Sequence, residues 1–170
     1  ALYGAVREQA ALLDEGAIPW EVVPGVSSAF ATAAAAGVSF TVPGGPQTLI
    51  VTRLSGRTPV PEAEALPGLA AHGAAMAVLL SAGEPERLQA ELLAGGYPPH
   101  TAIVLGHRVG WPGGETVRTT LAELAATARG QGFTKQTCFL VLPGQDIAKE
   151  DSRSKLYDPS FSHGTRKGSE

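Results

Sequence analysis

The stretch AAMAVLLSAGEPERLQAELLA, residues 74–94, decides the fold class. Its first part, Ala75 to Leu80, is an uninterrupted apolar run. A run without polar alternation is typical of a strand that is buried on both faces of a sheet, in a parallel position. Pro85 to Ala94 then reads as a helix, because proline in the first turn sacrifices no hydrogen bond that a helix would make. This succession predicts one crossover unit of an α/β sheet.

The same alternation of apolar runs and helical spacing extends in both directions along the chain. Strands are predicted at Ile18 to Val23, Gln47 to Leu54, Thr101 to Leu105, Glu115 to Thr119 and Thr137 to Leu142. Helices are predicted at Tyr3 to Asp14, Ser27 to Ala36 and Leu121 to Ala128. We therefore predict an α/β fold with a largely parallel or mixed sheet, helices on its faces and functional residues at its strand ends.

Composition excludes several classes of protein. With 170 residues, 44% hydrophobic, 17% charged and a net charge of −3, the chain is neither disordered nor a polyelectrolyte that coats nucleic acid. A protein that acts on ribosomal RNA would also need a basic face with stacking aromatics, and only 6% of the residues are aromatic. The longest apolar runs, Phe30 to Gly37 and Ala74 to Ala82, are shorter than the roughly 20 residues that a bilayer requires. We expect neither a nucleic-acid partner nor a membrane span.

The cysteine and histidine content bears on compartment and metal binding. The single cysteine, Cys138, excludes an internal disulfide framework and favours a reducing, cytoplasmic location. It lies in a predicted strand, where a cysteine is most simply a small apolar side chain. The four histidines are scattered without ligand spacing, so no metal site is predicted.

Three places carry residues that can bind a small polar ligand. In VPGVSS, Val23 to Ser28, two serine hydroxyls lie at the start of a predicted helix, next to its free backbone N–H groups. They either contact a ligand or cap the helix. Arg108, between His107 and Trp111, follows a strand and belongs either to a ligand site or to a solvated turn.

Arg53 and Arg57 form the third place, in a loop after a strand. They either pair with ligand carboxylates or are solvated. The chain has no GxGxxG turn after a strand, no phosphate-loop lysine and no GxSxG, so residue chemistry alone indicates an α/β ligand-binding domain.

Six ordered segments carry a resemblance to a known family. They are LYGAVREQ (2–9), EVVPGVSS (21–28), TRLSGRTPVPEAEAL (52–66), AGGYPP (94–99), Arg108 with Trp111-Pro112, and SKLYDPSFSHGTRKG (154–168). In this order they resemble the tetrapyrrole methylase family across the whole chain. The GRTPVPE loop and the LYDPSFSHG tail resemble the branch that acts on precorrin-4.

The resemblance implies transfer of a methyl group from S-adenosylmethionine to carbon 11 of precorrin-4, or of its cobalt-bearing form, during cobalamin synthesis. It implies two α/β domains with the methyl donor in the cleft between them, and a homodimer. The donor is a reactive sulfonium, so the protein mainly has to align the reacting atoms and exclude water. No catalytic triad is needed, and none is predicted.

Site residues follow from the matching positions. The resemblance implies donor contacts from Leu2, Tyr3, Ser27, Ser28, Ser81, Arg108, Val109, Thr137 and Cys138, the later ones mostly through backbone atoms. From charge alone, Arg53, Arg57 and Arg108 are candidates for pairing with the acetate and propionate groups of the macrocycle.

Compared with the family pattern, the N-terminal third is missing, including the Gly-Asp-Pro donor loop. We therefore expect an incomplete N-terminal α/β domain at residues 1–40, a C-terminal α/β domain with a mixed sheet at 41–145 and a tail at 146–170. We also expect this chain alone to be inactive. The alternative is a non-catalytic module that binds a tetrapyrrole or forms a dimer surface.

Overall fold

The computed structural model describes Leu2, residues 4–145, Ser160, Ser162 and Gly164. Its helices are α1 (Ala5–Glu15), α2 (Ser28–Ala36), α3 (Leu66–Ala70), α4 (Pro85–Ala94) and α5 (Leu124–Gly130). Its strands are β1 (Leu49–Arg53), β2 (Ala75–Leu79), β3 (Ala102–His107), β4 (Glu115–Thr120) and β5 (Thr137–Leu142). Short 3-10 turns cover Glu62–Glu64 and Leu121–Glu123. The predicted tail at 146–170 lies outside the described residues, apart from the three named above.

The strands form one mixed sheet in the order β1-β2-β5-β3-β4. β1 and β2 run parallel, whereas β5 is antiparallel to both β2 and β3, and β4 is antiparallel to β3. The strand that is last in sequence therefore separates β2 from β3, which share one direction. As a result β1, β2 and β3 end at the same edge of the sheet where β5 begins. The predicted α/β class with a mixed sheet is confirmed.

Each face of the sheet is covered by different helices. One face packs Met76, Val78 and Phe139 beneath α3, α4 and α5, in the larger of two buried apolar clusters. The other face carries Ala77 and Leu140, and α2 covers it with its alanine side chains. Alternate residues of β2 and β5 thus serve opposite cores, which explains why both strands are apolar without polar alternation.

Helix α2 approaches the sheet unusually closely at one point. A Cβ atom built on Gly106 of β3 would lie 2.3 Å from Oγ1 and 2.4 Å from Cγ2 of Thr32. Only glycine leaves room for the helix here. The contact fixes the amino-terminal end of α2 above the edge of the sheet where β2 and β3 end. Residues 1–40 were predicted as a separate unit, and that boundary stays a prediction, although α2 packs directly on this sheet.

The sequence predictions fail in two places. Residues 18–23 belong to no strand, and Ile18, Trp20, Val22 and Val23 are exposed. The prediction of a strand there is wrong for the described structure, because extended backbone becomes a strand only with a hydrogen-bonding partner, and no described residue provides one. The short helix α3 was not predicted, because its five residues are too few to show helical periodicity.

The remaining elements are confirmed with shifts of one to a few residues at their ends. Helix α4 and strand β5 match their predicted bounds. The helix predicted from Leu121 opens with a 3-10 turn before α5 begins at Leu124. In the part of the chain that the structure describes, no helix has the length and hydropathy that crossing a bilayer requires.

We expect Gly106→Ala to lower the free energy of unfolding by about 1–3 kcal/mol, because the added methyl group overpacks the contact with Thr32. Gly83→Ala is the matched control, since a Cβ there meets nothing within 4 Å and the backbone is not left-handed. Urea titration of both variants measures the difference. Adding Thr32→Ala to Gly106→Ala should restore part of the loss, since it removes the two closest atoms. Equal stability of the two glycine variants would contradict this account.

Candidate functional site

A cleft of about 490 Å³ opens at the edge of the sheet where β2 and β3 end and β5 begins. The start of α2 closes one side of it through Ser28 and Thr32. The turn after β2, the β3–β4 loop and residues 134–136 form the remaining walls. Ligands of open α/β sheets commonly bind at this position, outside the carboxyl ends of strands where the direction of the chain connections changes.

Three non-glycine residues in the cleft wall have left-handed backbone conformations. They are Leu80 with φ 55°, Arg108 with φ 48° and Gln136 with φ 53°. Each lies immediately beyond an end of β2, β3 or β5, and the Arg108 N–H donates to the Gln136 carbonyl over 2.9 Å. Such conformations cost energy and persist where the surrounding structure enforces them, often around binding sites. The strain is thus concentrated at the rim of the cleft.

The loop between β3 and β4 is built from two successive tight turns. The Trp111 N–H donates to the Arg108 carbonyl and the Gly114 N–H to the Trp111 carbonyl, each over 2.9 Å. A Cβ on Gly114 would lie 2.2 Å from the Arg108 carbonyl oxygen, so the second turn requires glycine. The loop holds the Trp111 side chain 63% exposed, with the Arg108 guanidinium 6.0 Å from its ring centroid. Trp111 is therefore displayed at the cleft and does not pack in the core.

The two serines of the VPGVSS turn have different positions. Ser27 is the N-cap of α2, and its hydroxyl accepts the Ala29 N–H over 3.3 Å. Ser28 begins the helix and lines the cleft. The two predicted roles therefore belong to different serines. The Ser27 hydroxyl caps the helix, and Ser28 faces the space in which a ligand would lie.

Two buried groups, Thr32 and Cys138, lie side by side in the cleft wall. Thr32 Oγ1 is fully buried and makes no hydrogen bond of good geometry with any described residue. Burial raises the pKa of the Cys138 thiol to about 12, and the nearby Thr32 hydroxyl offsets only part of that rise. The thiol is therefore protonated and unreactive.

Ser81 and Thr137 use their hydroxyls within the protein. The Ser81 hydroxyl accepts the Leu54 N–H over 2.9 Å and donates to the Leu79 carbonyl over 2.8 Å, joining the ends of β1 and β2. The Thr137 hydroxyl donates to the Lys135 carbonyl and lies 3.1 Å from His107 Nδ1. The His107 ring stacks on Phe133, on the sheet face opposite α2.

The two arginines of the β1 loop also differ. The Arg53 guanidinium donates to the carbonyls of Leu54, Thr58 and Pro59 and so holds its own loop together. Arg57 is exposed and makes no ion pair with a described residue. Arg53 pairs with Leu79 across the parallel ladder, so this loop leaves the sheet beside the cleft. Of these two side chains, only Arg57 has an uncommitted guanidinium.

The cleft brings together five of the predicted site residues: Ser28, Arg108, Val109, Thr137 and Cys138. Leu2, Ser27, Ser81, Arg53 and Arg57 do not line it. Tyr3 lies outside the described residues. Sequence reasoning did not assign Leu80, Thr32, Lys135 or Gln136 to the site, although all four line it. Leu80, Lys135 and Gln136 lie within two residues of a strand end, and that position could have identified them. The sequence holds no comparable signal for Thr32, which lies within an alanine-rich helix.

The charge of the cleft is opposite to that of the chain. Its lining contains two cations, Arg108 and Lys135, and no carboxylate, although the net charge of the protein is −3. Such a site favours a ligand that carries carboxylates. Among the described residues no three histidine, cysteine or acidic side chains are grouped to hold a metal ion.

Comparison with protein families gives one match. The model for tetrapyrrole (corrin/porphyrin) methylases matches residues 1–125. The chain is similar to a protein named cobalt-precorrin-4 C(11)-methyltransferase from Priestia megaterium, at 44% identity over 170 residues. That match covers 99% of this chain and 66% of the relative, so the chain spans slightly less than two thirds of the relative's length.

Solved structures show the same likeness. The X-ray structure of the cobalt-precorrin-4 methyltransferase CbiF superposes with a TM-score of 0.78 at 41% identity, over 82% of this chain and 59% of that one. A uroporphyrin-III C-methyltransferase from Thermus thermophilus, in complex with S-adenyl homocysteine, gives a TM-score of 0.58 at 22% identity. That second match covers 82% of this chain and 60% of that one and bears on the fold alone.

The division of labour between the serines is testable by stability. We expect Ser27→Ala to lower the free energy of unfolding by about 1 kcal/mol, because it removes the N-cap of α2. Ser28→Ala, the matched variant one residue on, should change stability by less than about 0.5 kcal/mol. Chemical denaturation of both measures this. Equal losses would show that Ser28 also has a structural role.

The Cys138 thiol should resist alkylation by iodoacetamide in the folded protein at about pH 8, because a pKa of about 12 leaves almost no thiolate. The same reagent should label one thiol once guanidinium has unfolded the chain. Because the folded-state pKa is raised above the ordinary 9.0, this group's contribution to stability is complete below pH 9 and is lost as pH rises from 9 towards 12. Rapid labelling of the folded protein would contradict the described burial.

Proposed function

Because this chain belongs to the tetrapyrrole (corrin/porphyrin) methylase family, we propose that the whole protein transfers the methyl group of S-adenosylmethionine to carbon 11 of precorrin-4 or its cobalt-bearing form. That these residues are inactive by themselves stays a prediction. The observation that carries the proposal is a cleft at the ends of β2 and β3, in a fold that superposes on CbiF with a TM-score of 0.78. Curated relatives carry names with and without cobalt, so both forms of the substrate stay candidates.

The cleft suits the methyl donor in size and in polar groups. A volume of about 490 Å³ lies within the range of sites that enclose one small ligand. The Ser28 hydroxyl offers hydrogen bonds at its wall, while Cys138 and Leu79 supply apolar surface. The adenosine part of the donor, with a flat base and a polar ribose, needs this combination of apolar surface and hydrogen-bonding groups.

The proposed methyl transfer needs little acid or base catalysis. The bound donor supplies a sulfonium methyl group that is already electrophilic. The residues of this chain position the two ligands and exclude water, because α2 and the β3–β4 loop enclose the cleft from two sides. The protonated Cys138 thiol does not compete as a nucleophile for the methyl group, since burial keeps its pKa near 12.

We assign donor contacts to Ser28, Val109, Thr137 and Cys138, with the last three acting mainly through the backbone. Arg108 lines the same cleft and is assigned to the carboxylates of the substrate. The predicted donor contacts of Leu2, Tyr3, Ser27 and Ser81, and the predicted substrate contacts of Arg53 and Arg57, stay predictions. For Ser81 the backbone is the only route, because its hydroxyl is fully engaged.

The remaining proposals concern the whole protein. We propose a homodimer in the cytoplasm, with residues 1–40 contributing to an N-terminal α/β domain and residues 41–145 forming the C-terminal one. The alternative is a non-catalytic module that binds a tetrapyrrole or provides a dimer surface. Donor binding and methyl transfer distinguish the two, since a non-catalytic module transfers no methyl group.

The test uses the whole protein, with any residues that flank those described above. Calorimetric titration with S-adenosylhomocysteine should show binding, and mass spectrometry should show one methyl group added to precorrin-4 or cobalt-precorrin-4. Ser28→Ala should weaken binding of S-adenosylhomocysteine about 3–10-fold, as expected for one lost hydrogen bond. Ser39→Ala, an exposed serine outside the cleft, is the control. Binding of a tetrapyrrole without methyl transfer would favour the non-catalytic alternative.

A further inference from the structure

We propose that Trp111 and Lys135 form, with Arg108, a platform at the rim of the cleft that receives the tetrapyrrole. In this platform the indole stacks on the macrocycle, and the two cations pair with its peripheral carboxylates. The inference rests on the proposed function and deepens it, because it identifies where the second ligand lies. Neither Trp111 nor Lys135 was among the predicted site residues.

The size of the cleft places the two ligands in different positions. A cavity of about 490 Å³ holds one ligand the size of the methyl donor. A tetrapyrrole ring with its side chains is larger than that donor, so the two do not fit together inside it. The macrocycle must therefore lie across the opening, against residues that line the cleft and remain exposed. Trp111, Arg108 and Lys135 meet both conditions.

Trp111 has the geometry of a stacking surface. Its side chain is 63% exposed, although a large aromatic group gains most when it is buried. The two tight turns of the β3–β4 loop hold it in place, so its exposure does not come from a loose loop. An aromatic side chain on a fixed backbone has only two torsions to order, so it loses little conformational entropy when a flat ligand covers it.

Two arginines elsewhere in the described structure are held in ion pairs, whereas the cations at the rim, like Arg57, are not. Arg87 pairs with Glu84 and Glu91, and Arg129 pairs with Glu86. Arg108 and Lys135 form no ion pair with any described residue. The described part of the cleft lining includes no carboxylate that would neutralise them. In a chain of net charge −3, two unpaired cations at one opening indicate a ligand with several carboxylates.

The two cations suit different parts of that task. The Arg108 guanidinium lies 6.0 Å from the Trp111 ring centroid, so a carboxylate bound to it would hold the attached ring near the indole. Lys135 lies two residues before β5 begins. Its flexible side chain carries one positive charge, which reaches carboxylates on flexible substituents of the macrocycle. One aromatic contact with two flanking charges therefore fixes both the plane and the rotation of the macrocycle.

The experiment uses uroporphyrin, a stable tetrapyrrole with eight carboxylates, as the probe, in the presence of saturating S-adenosylhomocysteine. We expect Trp111→Ala to raise its dissociation constant about 10-fold or more, and Trp111→Phe to restore most of the affinity because a ring is retained. Trp20→Ala, which changes the other tryptophan of the chain, is the matched control and should bind like the unchanged protein. Trp20 lies outside the cleft lining.

Lys135 is tested by the salt dependence of the same binding. Lys135→Ala should raise the dissociation constant several-fold at low salt and make it less sensitive to ionic strength, whereas Lys135→Arg should retain both properties. Binding of S-adenosylhomocysteine and the melting temperature should stay unchanged in all variants. A Trp111→Ala protein that binds uroporphyrin as tightly as Trp20→Ala, or an unaltered salt dependence in Lys135→Ala, would overturn the platform.

Measurements on the unchanged protein test the proposed function separately from the platform. If that protein binds no S-adenosylhomocysteine and methylates no precorrin, the proposed function fails before any variant is measured, and the platform fails with it. If the unchanged protein methylates its substrate and Trp111→Ala does so with the same KM, only the platform is overturned. A raised KM with an unchanged affinity for S-adenosylhomocysteine supports it.

Discussion

The close contact between Thr32 of α2 and Gly106 of β3 is the constraint on which the site depends. Because Gly106 has no Cβ, the helix approaches the sheet within a distance that any other residue would prevent. The alanine side chains of α2 extend this contact along the sheet. The amino terminus of α2 therefore lies above the ends of β2 and β3. The helix covers one apolar core and also forms a wall of the cleft.

The order of the strands then determines what meets at that wall. Because β5 inserts antiparallel between β2 and β3, the start of one strand lies between the ends of two others. The chain must turn sharply at all three places, and Leu80, Arg108 and Gln136 take left-handed conformations there. The same turns expose backbone and side chains to the cleft. Local strain and ligand access thus have one origin, which is the topology of the sheet.

Sequence reasoning succeeded where a residue's role is set by its neighbours along the chain. The helix that starts at Pro85 follows from local hydrogen bonding and backbone geometry. It failed for Ile18 to Val23, where the residues favour a strand but a partner is required. It also missed Thr32, whose importance comes from a glycine 74 residues away in the chain.

The sequence by itself determined the α/β class, the ordered motifs of the methylase family and the residues that follow each strand. These depend on periodicity and on short segments, which are local properties of the chain. Only the tertiary structure decided that Ser28 lines the cleft while Ser27 caps a helix, that the Arg53 guanidinium is used within its own loop, and that Lys135 joins Arg108 beside Trp111. The physical reason is that the antiparallel insertion of β5 brings distant loops to one edge of the sheet, and no local pattern encodes that pairing.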